Sequence, residues 1–152
     1  MGTCIRRCES PGTEPDERGA LHIDKPVIDL WLANEAESVP RARHSLDTLS
    51  QTVPPQTLET VVLLVSELVT NAVLHAGTEP EEKIRLKVGS SARTVRVEVH
   101  DSGLDFEAGP ARKPDPRQIG GWGLYLVQTL SDRWGVEREK FVVVWFEMDL
   151  AA

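Results

Sequence analysis

Aromatic residues are scarce in this chain, at 5% of 152 positions, and cysteine is scarcer, with only Cys4 and Cys8. Both cysteines fall near the N-terminus, so they cannot staple a core, and the surrounding stretch offers no further ligands at metal-binding spacing. Basic charge is in deficit too. Seventeen Lys and Arg stand against 24 Asp and Glu, a net charge of −7, which argues against nucleic acid because phosphate backbones reward clustered cations. The longest uncharged apolar run, Val61 to Val65, is far too short to cross a bilayer. The first residues lack the apolar segment of a secretory signal. The expectation is a cytoplasmic protein with no membrane or direct nucleic-acid contact. Also missing are a Ser/His/Asp set, an H-E-x-x-H pair, a G-x4-G-K-[ST] phosphate loop and any internal repeat.

What remains is an ordinary globular balance, 40% apolar and 27% charged, with length enough for one domain and a real core. Residues 1–25 mix charge, Gly and Pro without apolar periodicity and read as a disordered tail; residues 26–152 read as the domain. Val27 to Asn34 reads as a strand, with Ile28, Leu30 and Leu32 on one face. Ser38 is placed as the N-cap of a helix that runs through Ala42, Leu46 and Leu49 and stops before Pro54-Pro55. Thr57 to His75 carries the clearest helical period, through Leu58, Val61, Val65, Leu68 and Ala72. It is apolar almost all round and rich in β-branched residues, so burial against a sheet must hold it. Ile84, Leu86 and Val88, then Val95, Val97 and Val99, alternate as two strands of an antiparallel hairpin. Asp105 to Gly120 has no period and reads as a lid or binding loop. A helix from about Trp122 to Leu130 and a strand from Phe141 to Phe146 close the chain. This order predicts an α+β two-layer sandwich, with helices on one face of a mixed, mostly antiparallel sheet.

Three short segments have chemistry to offer. Glu67 and Asn71 are four apart, hence on one helix face. An amide oxygen suits a hard cation such as Mg2+, and a neighbouring carboxylate can orient a nucleophile or take its proton; the plain alternative is a pair satisfied by solvent or backbone. Asp101-Ser102-Gly103 closes a strand. Its carboxylate can accept from the amino edge of a base, although the same triplet makes an ordinary turn. Gly121-Trp122-Gly123 opens an apolar helix whose free N–H groups can face a phosphate, or it simply ends a flexible loop.

Taken in order, these segments resemble the GHKL superfamily of Bergerat-fold ATPases, which includes gyrase B and the histidine kinases. Glu67-Leu68-Val69-Thr70-Asn71-Ala72 is similar to its N box, Asp101-Ser102-Gly103 to its first glycine box, and Gly121-Trp122-Gly123-Leu124 to its second. Within the superfamily the chain looks most like the small stand-alone anti-sigma factor serine kinases. Asn34 to Arg43 and Leu124 to Gly135, with Asp132-Arg133-Trp134-Gly135, share that likeness. The resemblance implies ATP and Mg2+ as cofactors. Asn71 would be the metal ligand and Glu67 the general base, with Asp101 on the adenine amino group. Gly103, Gly121, Gly123 and Leu124 would line the nucleotide site, beneath a lid in which Lys113 and Arg117 are the two candidates for a basic residue at the γ-phosphate. It further implies protein partners, a sigma factor or an anti-sigma antagonist, and a homodimer. Three positions depart from the family pattern: Asp105 stands where the first box usually has its second Gly, Trp122 where Arg is common, and Phe141 to Val144 lacks a frequent threonine. Asp105 and the missing threonine favour, as the alternative, an ATP-responsive protein-binding module with little or no phosphotransfer.

Overall fold

The computed structural model describes residues 2–6, 23, 25–75, 83–101, 123–138 and 142–150. Strands β1 (Gly2–Arg6), β2 (Ile28–Ala33), β3 (Lys83–Ser90), β4 (Thr94–Asp101), β5 (Arg133–Arg138) and β6 (Val142–Asp149) form one sheet in the order β1-β5-β6-β4-β3-β2. Every neighbouring pair is antiparallel. Helices α1 (Ser38–Ser45), α2 (Pro55–His75) and α3 (Gly123–Leu130) complete an α+β architecture.

Side-chain alternation makes the two sheet faces different in kind. Ile84, Leu86 and Val88 of β3 and Val95, Val97 and Val99 of β4 are buried, as are Val144, Phe146 and Met148 of β6 and Trp134 and Val136 of β5. Cross-strand register sets Val97 opposite Phe146 and Trp134 opposite Phe146, so these side chains share one face. Helix α2 lies on that face, packed against β3, β4 and β6. Its residues Val61, Leu64, Val65, Leu68 and Val69 are almost wholly buried, and each such side chain contributes about 1.5–3 kcal/mol relative to exposure. That is what holds a sequence of modest helix propensity in place.

By length and composition alone, Pro55–Leu74 also passes for a bilayer span, with a mean hydropathy of 1.6. The unbroken run Val61 to Val65 understated how apolar the whole helix is. Here its apolar side is spent on the sheet, and Leu63 and Leu74 are the large exposed apolar residues it keeps.

Several boundaries differ from the sequence expectation. Helix α1 takes Glu37, not Ser38, as its N-cap. Ser38 is fully buried, and its hydroxyl donates to the Ala33 carbonyl at 2.5 Å, tying the helix start to the end of β2. The helix then tightens into a 3-10 segment over Leu46–Gln51, where the three-residue spacing of Leu46 and Leu49 puts both in the core. β5 was not anticipated, because its apolar alternation amounts to Trp134 and Val136 around a glycine. β6 runs on through Glu147-Met148-Asp149, which a purely apolar criterion cuts off. Gly2–Arg6, inside the stretch read as a tail, pairs with the outer edge of β5 as β1. Edge pairing needs only backbone donors and acceptors, so composition does not announce it.

Candidate functional site

Helix α2 brings Glu67 and Asn71 to one side, both half-buried, between core positions Leu64, Leu68 and Ala72. The hydroxyls around them turn inward on the helix itself: Ser66 donates to the Val62 carbonyl and Thr70 to the Ser66 carbonyl, each at 2.6 Å. Helix α3 packs against α2 and starts at Gly123, which is buried. A methyl group built on Gly123 would collide with the Asn71 amide nitrogen, reach its Cγ at 3.4 Å and come within 3.7 Å of the Glu67 Cβ. The last glycine of the second glycine segment, which opens α3, therefore sits directly on the Glu67–Asn71 face. Leu124, the next residue, is partly buried and packs on the core.

Asp101 ends β4 opposite Val142 of β6 and is half-buried. By alternation it continues the row of Val95, Val97 and Val99, so it leaves the sheet on the helix-covered side. Gly103, Gly121, Asp105, Trp122, Lys113 and Arg117 lie outside the described residues.

The opposite face of the same strand carries a charge network that the sequence reading did not single out. Arg96 donates from Nε to Glu98 at 3.0 Å and from Nη1 to Glu147 at 2.9 Å, and its guanidinium stacks over the Trp145 ring at 4.3 Å. His100 Nε2 lies 3.1 Å from the second Glu98 oxygen. Arg133 donates to Glu147 at 2.7 Å and forks onto Asp149. Burial pushes the Glu98 carboxyl up, but hydrogen bonds to His100 and Arg96 and the Arg96 charge outweigh it, leaving the group below its ordinary value. The hydrogen bond to Asp149 heads the causes that hold the Arg133 guanidinium above its ordinary value. The sequence signal for this network was present: opposite charges occupy alternate positions between the valines of β4. It ties β4, the strand that ends at Asp101, to β6 through Arg96 and Glu147.

Among the described residues no group of three or more His, Cys, Asp or Glu could hold a metal by itself. The Asn71 amide oxygen, a hard donor, does fit Mg2+ of the nucleotide-bound kind, which takes one or two protein ligands and leaves the rest to phosphate and water.

An antiparallel sheet with helices on one face, and a glycine-led helix packed on a helix that carries a carboxylate and a carboxamide, make a domain of the α+β sandwich class. Residues 32–146 match the histidine kinase-like ATPase domain, and the chain belongs to that family, for which ATP is the implied nucleotide. It is 30% identical over 118 residues to the serine-protein kinase RsbW of Listeria innocua, covering 69% of this chain and 75% of the relative. With RsbW of Bacillus subtilis it shares 32% over 98 residues, 57% and 61% of the two chains. With RsbW of Oceanobacillus iheyensis it shares 27% over 107 residues, 63% and 68% of the two chains.

Proposed function

We propose that this chain is an ATP- and Mg2+-dependent serine/threonine protein kinase of the anti-sigma factor type, acting in the cytoplasm on an anti-sigma antagonist protein. The observation that carries the reading is the seating of Gly123 on Asn71 and Glu67, which joins two of the three nucleotide-binding segments. The RsbW relatives, serine-protein kinases by name, support the choice of acceptor.

In this reading Asn71 holds Mg2+ through its amide oxygen, and the metal supplies charge neutralisation at the phosphates when bound. Asp101 accepts from the adenine amino group, with Gly103 allowing close backbone approach. Gly121, Gly123 and Leu124 bring the α3 N-terminus to the phosphates, where free N–H groups and the helix dipole favour negative charge. Glu67 orients the acceptor hydroxyl and takes its proton as the oxygen bonds to the γ-phosphorus and the bond to the ADP oxygen breaks. Phosphoryl transfer asks a protein mainly to position groups and neutralise charge, and this set of residues is suited to both. A second reading, an ATP-responsive module that sequesters a sigma factor with little transfer, is favoured by Asp105, a carboxylate where the first glycine box usually has its second Gly.

Calorimetric titration of ATP with and without Mg2+ tests the nucleotide site. The expected result is micromolar, Mg2+-dependent binding that Asn71→Ala removes; no binding up to millimolar ATP would refute the reading. Labelled γ-phosphate appearing on serine or threonine of a cytosolic protein then separates kinase from sequestering module.

A further inference from the structure

We propose that Gly123 is the positioning residue for Asn71: its missing side chain is the space in which the Asn71 carboxamide sits. The inference rests on the ATP and Mg2+ reading above and adds a role that the glycine segment does not have as a phosphate loop. Gly123 has no left-handed φ that would call for glycine. What excludes a side chain is occupancy. The atom in the way belongs to the Asn71 amide, while the Glu67 Cβ, at 3.7 Å, stays at ordinary contact distance.

The blocking group is the end of a side chain with two rotatable bonds, so a methyl at position 123 displaces the carboxamide rather than the helices. The fold survives, and the amide oxygen moves. An atom that must meet a small cation at near-fixed distance tolerates little displacement. Residues that orient a metal ligand typically change affinity about 10–100-fold when altered. Gly123→Ala should therefore mimic Asn71→Ala and not Glu67→Ala.

The test compares Gly123→Ala, Asn71→Ala and the double variant with the unaltered chain. Two readouts are taken: the NMR resonances of the Asn71 side-chain amide without nucleotide, and the gain in ATP affinity on adding Mg2+. In Gly123→Ala the amide resonances should move and the Mg2+ gain should fall by about tenfold or more, with the thermal midpoint nearly kept. On the Asn71→Ala background the second substitution should cost nothing further. Unmoved amide resonances, or an unchanged Mg2+ gain in Gly123→Ala, overturn the proposal. If Gly123→Ala alone does not fold, recovery of folding on the Asn71→Ala background supports the proposal, and failure on both overturns it. If the unaltered chain shows no Mg2+ gain at all, the proposed function falls, and the amide resonances by themselves decide whether Gly123 seats Asn71.

Discussion

Replacing Arg96 with Met should cost this protein about 3 kcal/mol at neutral pH, because it strands a buried carboxylate. The Glu98 side chain is 3% exposed, and Arg96 at 3.0 Å is the partner of its Oε1. Breaking a buried pair from one side typically costs about 3–5 kcal/mol. Two features bring the figure to the lower end: His100 still meets the other Glu98 oxygen, and Glu147 keeps Arg133. Methionine also retains an unbranched stem against the Trp145 ring, where a sulfur–aromatic contact returns about 0.3–1.5 kcal/mol.

Urea unfolding reads the effect directly, as a midpoint shift of about 1–3 M for a slope of about 1–3 kcal/mol/M. Its pH dependence carries the sharper test. In the unaltered chain Glu98 titrates below its ordinary value, so its contribution is complete above the ordinary carboxylate range and is lost as pH falls through the lowered value. Without Arg96 two of the causes that lower the carboxyl are lost while burial and the His100 contact remain, so it titrates higher than in the unaltered chain and the variant relieves part of its penalty by binding a proton. The gap between the two proteins is therefore widest at neutral pH and narrows in acid. Arg96→Met/Glu98→Leu should recover most of the loss, since an apolar replacement of a buried pair is often neutral. A deficit below about 1 kcal/mol that does not change with pH is what an exposed pair gives, and would refute the reasoning.

Gly135→Ala should destabilise by about 1–2 kcal/mol, overpacking partly offset by the entropic gain of losing a strand glycine. The added Cβ would stand 2.8 Å from the Trp145 indole, which Arg96 holds from its other side; an unchanged urea midpoint would mean the ring is free to move. Asp101→Ala should reduce the preference for ATP over GTP, measured by competition, and an unaltered preference would remove Asp101 from the base pocket. Glu67→Ala should leave ATP affinity within about twofold while abolishing transfer; full transfer would end its role as base.

The parts of this fold legible in the sequence are those whose signal is local and apolar. Helix α2 and the β3–β4 hairpin declare themselves by period, since one face of each is buried over most of its length. β5 and β1 escape that test. The first has two apolar side chains around Gly135, and the second is held by backbone pairing at a sheet edge. The site divides in the same way. Glu67 and Asn71 are readable as a pair because helical spacing alone puts them together, and Asp101 because a strand visibly ends there. The contact between Gly123 and Asn71 joins separate helices across the hairpin, so no spacing rule can find it. Yet that contact changes how the segments should be understood. Read singly, each has its own ligand group to hold; packed as they are, one is the floor on which the other's functional atom rests. On the proposed function, substitutions in the glycine segment act on Asn71, the proposed metal ligand, as well as on phosphate, and activity loss alone does not say which. Only a measurement that separates Mg2+-dependent from Mg2+-independent affinity does.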